Sequence, residues 1–129
     1  MNIIRIKETC LYVANLEATR QFYHDILLLP VISFVEGRHV FFRAGESVLL
    51  CFIAEKTMQE KVLPPHGAQG IIHFAFEVKP ADYNAAMQTM HQHQVEILHE
   101  QKWKNGHHSF YFNDPDKHLV EIIEAGIWD

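Results

Sequence analysis

The chain has 129 residues, 48% hydrophobic and 21% charged, with a formal net charge of -5. On ordinary size priors that is one compact unit, able to bury about two thirds of its unfolded surface without disulfide or metal staples. The composition excludes a disordered chain, and the acidic balance gives no footprint for nucleic acid, with Lys102 and Lys104 only a local basic pair. The longest apolar run, Ile26 to Val35, is broken by Pro30 and too short to span a bilayer. No signal-peptide core precedes the strand pattern that begins at Ile3, so a cytoplasmic protein is expected. Cys10 and Cys51 lie in apolar strand-like runs without CxxC spacing and read as reduced, buried thiols, a single disulfide between them being the alternative.

Ile3 to Val13 reads as a strand, with Ile4, Ile6, Glu8, Cys10 and Tyr12 on one face and Thr9, Leu11 and Val13 on the other. Asn15 can cap a helix in which Leu16, Thr19, Phe22, Tyr23 and Ile26 recur at helical spacing; Pro30 closes that region. Three short strands follow, Val31 to Val35, Arg38 to Arg43 and Ser47 to Ala54, separated by glycine-containing turns. Glu55 to Gln69 has mixed charge, Pro64-Pro65 and Gly67, and reads as a linker. Then the order repeats: a strand from Gly70 to Val78, a helix opened by Pro80 with Tyr83, Met87 and Met90 inward, and a strand-like element from Val95 to Gln101. A hairpin closes it, with Ser109 to Phe112 and Leu119 to Ile123 flanking the turn Asn113-Asp114-Pro115-Asp116.

Leu11 matches Phe76 and Val13 matches Val78, each 65 positions on, and the same offset sets Glu8 on His73. In the hairpins Phe41-Phe42 matches Phe110-Tyr111, and a turn two residues longer in the second half sets Leu50 on Glu121, with Val40 corresponding to Ser109 and expected to face Leu50. Such a repeat predicts an α+β chain of two βαβββ modules, residues 3–54 and 70–126 of a single 1–129 domain, joined by the linker 55–69, with sheets curled around a cavity. Within the second hairpin Ser109 is expected to face Glu121, and Tyr111 to face Leu119. Glu121 stands inside an apolar strand, where an ionised carboxylate is costly unless paired, hydrogen-bonded or metal-bound; the plain alternative is an edge-strand glutamate facing water. By pseudo-twofold symmetry Glu8, His73 and Glu121 meet in one cavity with Leu50 in the fourth place. One imidazole and two carboxylates suit Mn²⁺, Fe²⁺, Ni²⁺ or Zn²⁺ and leave coordination positions open, as a catalytic site requires.

ETCLYVANLEATRQFYHDIL, GIIHFAFEV and SFYFNDPDKHLVEIIE together resemble the opening strand and helix, the second-module strand and the closing hairpin of the vicinal oxygen chelate superfamily. That superfamily includes glyoxalase I, extradiol dioxygenases, fosfomycin-modifying thiol transferases and bleomycin-resistance proteins. The wording is nearest to unassigned bacterial glyoxalase-like proteins. The resemblance implies paired βαβββ modules and a divalent metal at His73 and Glu121, with Glu8 where many members have histidine or glutamine. It implies an enzyme using the ion as a Lewis acid on a small oxygen-rich substrate, whether lyase, isomerase, thiol transferase or dioxygenase. The alternative is a metal-free small-molecule sequestering protein of the bleomycin-resistance type.

Glu121 and Tyr111 are the expected catalytic residues, and Ser109, Tyr111, Phe42, Leu50, Trp103 and Lys102 the expected substrate-binding ones. Ser109 and Tyr111 match substrate-contacting positions of the fosfomycin enzymes, whose phosphonate-binding arginine has no counterpart here. Leu50 stands where glyoxalase I has a ligand carboxylate, and Leu28 and Lys117 replace customary glycines. Surplus apolar segments, Ile3-Ile4, Leu27 to Leu29 and Ile127-Trp128, predict a homodimer, and related two-module proteins often share ligands across subunits.

Overall fold

The computed structural model describes residues 1–129 as two compact units, Met1–Gly70 and Ile71–Asp129. Each unit is a βαβββ module whose first strand pairs parallel with its last. In the first, β1 (Glu8–Tyr12), β2 (Val31–Val35), β3 (His39–Ala44) and β4 (Ser47–Phe52) lie in the order β1-β4-β3-β2. In the second, β5 (His73–Val78), β6 (His99–Lys102), β7 (His108–Asn113) and β8 (Leu119–Glu124) lie in the order β5-β8-β7-β6. The α+β class and the two-module repeat expected from the sequence are therefore present. No helix is long and apolar enough to cross a membrane.

β1 is shorter than the apolar run that announced it: the segment before Glu8 is not strand, and Ile3, Ile4 and Ile6 are exposed. Asn15 caps α1 (Leu16–Arg20) as its sequence predicts, its side-chain oxygen accepting from Ala18 N at 2.9 Å. The helix then widens into a π turn over Gln21–Ile26, where Leu27 N reaches back to Phe22 O at 3.3 Å. Leu28 leaves that turn at φ 59°, in the left-handed region. The helix buries Leu16, Thr19, Phe22 and Tyr23 against the face of the first sheet that carries Leu11, Val40, Phe42, Leu49 and Cys51. Cys10 pairs in register with Leu50, and Leu11 with Cys51, so the two thiols point to opposite faces and are not joined in a disulfide.

The hairpin registers differ from those expected, in two ways. In the second module Tyr111, not Ser109, stands opposite Glu121, because the ladder closes at Asn113–Leu119 around a five-residue loop, Asp114 to His118. Asp114 builds that loop, its Oδ1 accepting from Asp116 N at 3.0 Å and His118 N at 2.8 Å. This shift of two leaves every side chain on its expected face. In the first module Phe41, not Val40, opposes Leu50, a slip of one that reverses the faces. Phe41 rather than Phe42 is therefore the counterpart of Tyr111, and the step from Tyr111 to Glu121 is one residue longer than that from Phe41 to Leu50, rather than two.

The expected linker is also more tied down than its composition implied. Ala54–Thr57 forms a short helix, α2, and Arg38 pairs with Glu60 at 2.6 Å. Tyr12 Oη bonds His66 Nδ1 at 2.7 Å. In the second module a 3-10 turn, Pro80–Asp82, leads into α3 (Tyr83–Gln92), which packs on β8 with Tyr83 and Met90 buried.

Leu28 and Lys117 both take the positive φ, 59° and 64°, that their glycine counterparts would adopt without a Cβ penalty. For an L-residue that conformation costs roughly 1–2 kcal/mol. Glycine gives back about 0.5–1 kcal/mol through the entropy of the unfolded chain. Because the Leu28 side chain is exposed, Leu28→Gly should raise unfolding stability by a net of about 0.5–1 kcal/mol. Leu28→Val should lower it. Both are read as shifts of the urea midpoint at unchanged slope.

Candidate metal and substrate site

The second sheet brings His73 and Glu121 together on the face away from α3. Ala75 and Tyr111 flank Glu121 in register on β5 and β7, and His73 lies one step along, opposite Leu119. Glu121 is buried, at 7% exposure, whereas His73 is open to the cleft. His73 Nδ1 lies 3.0 Å from the carbonyl oxygen of Leu119, which only accepts, so the proton sits on Nδ1. In the neutral ring Nε2 then carries a lone pair, and it lies 3.3 Å from Glu121 Oε2. Two lone pairs so apposed need a cation between or upon them, either a proton or a metal ion. The donor set therefore fits a divalent ion.

Glu121 is also the end of a hydrogen-bonded row. Trp103 Nε1 donates to Ser109 Oγ at 3.0 Å, Ser109 bonds Tyr111, and Tyr111 bonds Glu121. Burial and then the hydrogen bond to Glu121 push the Tyr111 phenol up, against a smaller opposing effect from Ser109. Tyr111 is consequently neutral near pH 7 and holds its proton at Oη. Ser109 is fully buried, so it positions Trp103 and Tyr111 instead of touching a substrate, contrary to expectation.

Around this row lies a cleft of about 790 Å³, within the range usual for small-molecule sites. Its wall includes Phe74, Trp103, Lys104, Ile123, Ile127 and Trp128. Of the residues expected to bind substrate, Tyr111 and Trp103 line this cleft. Lys102 does not, because on β6 it pairs with His108 of β7 and so points to the helix side, while Lys104 in the following turn reaches the cleft. Asn105 Nδ2 donates to Ile127 O at 3.1 Å, which sets the C-terminal residues on the wall. No local sequence signal marks Ile127 or Trp128 as lining residues, since that depends on this bond.

In the first module the corresponding positions carry other chemistry. Glu8 occupies the position of His73, Leu50 that of Glu121, Phe41 that of Tyr111 and Cys10 that of Ala75. Phe42 is fully buried against Tyr23 with ring centroids 5.6 Å apart, so it cannot line a ligand cavity, a consequence of the one-residue register difference. The open face is instead tiled by rings: His39 stacks on Phe41 at 3.8 Å and Phe52 packs edge-on to His66 at 4.8 Å. No three His, Cys, Asp or Glu side chains form a ready cluster for a metal, and within the second module His73 and Glu121 stand as a pair.

Paired βαβββ modules with a histidine and a glutamate on adjacent first and last strands define the vicinal oxygen chelate class. A glyoxalase-like domain model matches residues 6–125, and the chain belongs to that family. Lactoylglutathione lyase from Agrobacterium tumefaciens is similar over 98% of each chain, with a TM-score of 0.93 and 31% identity. Metallothiol transferase FosB of Staphylococcus epidermidis is 27% identical, over all of this chain and 87% of its own length. An integron cassette protein from Vibrio cholerae shares the fold at a TM-score of 0.76, with 23% identity and 98% coverage of each chain.

The Ser109 hydroxyl lowers the Tyr111 pKa while burial and Glu121 raise it, so Ser109→Ala should move phenol ionisation to higher pH. The near-ultraviolet difference spectrum, with Tyr111→Phe as the blank, reads this directly. Loss of the Trp103 bond should also cost about 1–2 kcal/mol of stability.

Proposed function

We propose that the protein is a metal-dependent glyoxalase-like enzyme, with a divalent ion held by His73, Glu121 and, from the first module, Glu8. The observation that carries this reading is the Nδ1 bond of His73 to Leu119, which leaves its Nε2 lone pair turned on the Glu121 carboxylate. Bound there, Mn²⁺, Fe²⁺, Ni²⁺ or Zn²⁺ would act as a Lewis acid toward vicinal oxygens of a small substrate. The chain's own groups do the rest. His73 is oriented by Leu119 O, and the buried Glu121 carboxylate would balance the charge of the ion. Tyr111 presents a neutral phenol whose proton can be shared with a substrate oxygen or with Glu121. Trp103 and Ile123 exclude water above them.

The names borne by the relatives, a lactoylglutathione lyase and a metallothiol transferase, support a metal-assisted reaction of a small molecule. Leu50 at the position equivalent to Glu121 argues against glyoxalase I chemistry. A methylglyoxal-thiol assay should accordingly give little turnover. Robust glyoxalase I turnover would overturn the assignment of the ligand positions.

A homodimer belongs to the same proposal, supported by exposed Ile3, Ile4 and Ile6 beside β1 and by exposed Trp128. Glu8 would then come from the same chain or from the partner. Metal analysis of untagged protein after reconstitution should give near-stoichiometric ion, lost in both His73→Ala and Glu121→Ala. No uptake of any of the four metals would instead favour the metal-free sequestering alternative. Light scattering should exceed the 15.0 kDa of one chain at micromolar concentration. Mixing Glu8→Ala with His73→Ala subunits should restore one site per heterodimer if ligands are shared across chains, and none if they are not.

A further inference from the structure

The cleft has a direction, and its far end carries a charge that the metal reading does not use. Along β7 and β8 the Tyr111–Glu121 pair is followed on the same face by Ser109–Ile123, about 7 Å further on at the usual strand rise. The Trp103 indole is bonded to Ser109 and so sits over that second pair. Lys104 is the next residue and the one lysine or arginine on the cleft wall, while Glu121 is its one carboxylate. Between them the surface is apolar, made by Ile123, Ile127 and the indoles of Trp103 and Trp128. This rim is held in place: Trp103 N donates to His107 O at 2.8 Å, Gly106 N donates to Trp103 O at 2.9 Å, and Asn105 clamps the C-terminal carbonyls.

We propose that the substrate is a small flat anion carrying an acid group about one aromatic ring away from its reacting oxygen. The oxygen end lies at His73, Tyr111 and Glu121, the ring lies along Trp103 and Ile123, and the acid group meets the Lys104 ammonium. Three features require this combination. A ring matches the apolar span and gains from indole contact. A lysine on the cleft wall offers a carboxylate a charge-assisted hydrogen bond that a neutral group of the same shape cannot match. The acidic end, with Glu121 already present, disfavours a second anion there. Lys104 is thus a specificity-determining residue, and Lys102, on the other face of β6, is not. The oxygen-end orientation rests on the metal-site reading, whereas the preference for a distal anion does not.

The test is calorimetric titration of 4-hydroxybenzoate against 4-hydroxybenzyl alcohol, two probes of one shape that differ in charge, on metal-free and Mn²⁺-reconstituted protein. The acid should bind about fivefold more tightly in both forms. Lys104→Met should bring that ratio to about one, Lys104→Arg should keep it, and Lys102→Met should leave it unchanged. Equal binding of the two probes, no binding of either at millimolar concentration, or equal loss of selectivity in Lys102→Met and Lys104→Met would overturn the proposal. Failure to take up any of Mn²⁺, Fe²⁺, Ni²⁺ or Zn²⁺ would overturn the metal reading alone, since the ratio is still measured on metal-free protein.

Discussion

The carboxylate of Asp114 is the point on which the second module's site geometry depends. By accepting from the backbone of Asp116 and His118 it holds a five-residue loop, and that loop length sets Tyr111 opposite Glu121. The same loop reaches the first strand, because His118 Nδ1 accepts from Ile72 N at 3.0 Å and Leu119 N bonds Ile72 O at 3.0 Å. Asp114 and His118 are both buried, so these bonds work in a medium where leaving them unmade would be expensive. His73 is the residue after Ile72. Its place beside Glu121 is therefore fixed from the hairpin side as well as through the β5–β8 ladder. A slip of one residue in this hairpin would turn Glu121 toward α3 and leave an unpaired carboxylate among apolar side chains.

Much of this was legible in the residues, and what was not follows one pattern. Asn15 as a cap, β2 at Val31–Val35 and Glu121 as a polar group within an apolar strand are local signals, and each is found in the structure. The match of Glu8 to His73 and of Leu50 to Glu121 also holds, since both follow from strand spacing. Phe42 and Lys102 were misplaced for a common reason: which face a strand residue takes depends on the parity of loop length and register. Neither Gly45-Glu46 nor the Trp103–His107 turn announces that parity in composition. Ser109 could not be read correctly either, because its partner Trp103 comes from across a turn. The π turn after Arg20 lay beyond local patterning as well, since a helical repeat looks the same with one residue inserted.

The two modules share one backbone plan yet differ in how each settles its open face. The second keeps a carboxylate, a phenol and an imidazole there and hydrogen-bonds them into a row. The first places leucine and phenylalanine at two of those positions and stacks further rings on them. His39 shows the consequence for charge: burial and the neighbouring Arg38 hold its imidazole below the ordinary range, which favours a neutral ring among the aromatics. Burial, with a smaller effect of Glu8, pushes the Cys10 thiol up, so the sulfur on this face is not a ready nucleophile.

Parallel pairing of first strand with last has a further consequence, for how the site comes into being. His73 and Leu119, whose contact sets the imidazole tautomer, are 46 residues apart in sequence. Closing so long a loop must precede any local reward, which makes the β5–β8 ladder a late and slow contact in folding. Helix α3 and the β7–β8 hairpin can form earlier, from neighbours in sequence. During synthesis the pair of His73 and Glu121 does not exist until nearly the whole module has been made. A chain ending before β8 has half of every interaction in the site and none of its geometry, so occupancy of the site reports completion of the fold.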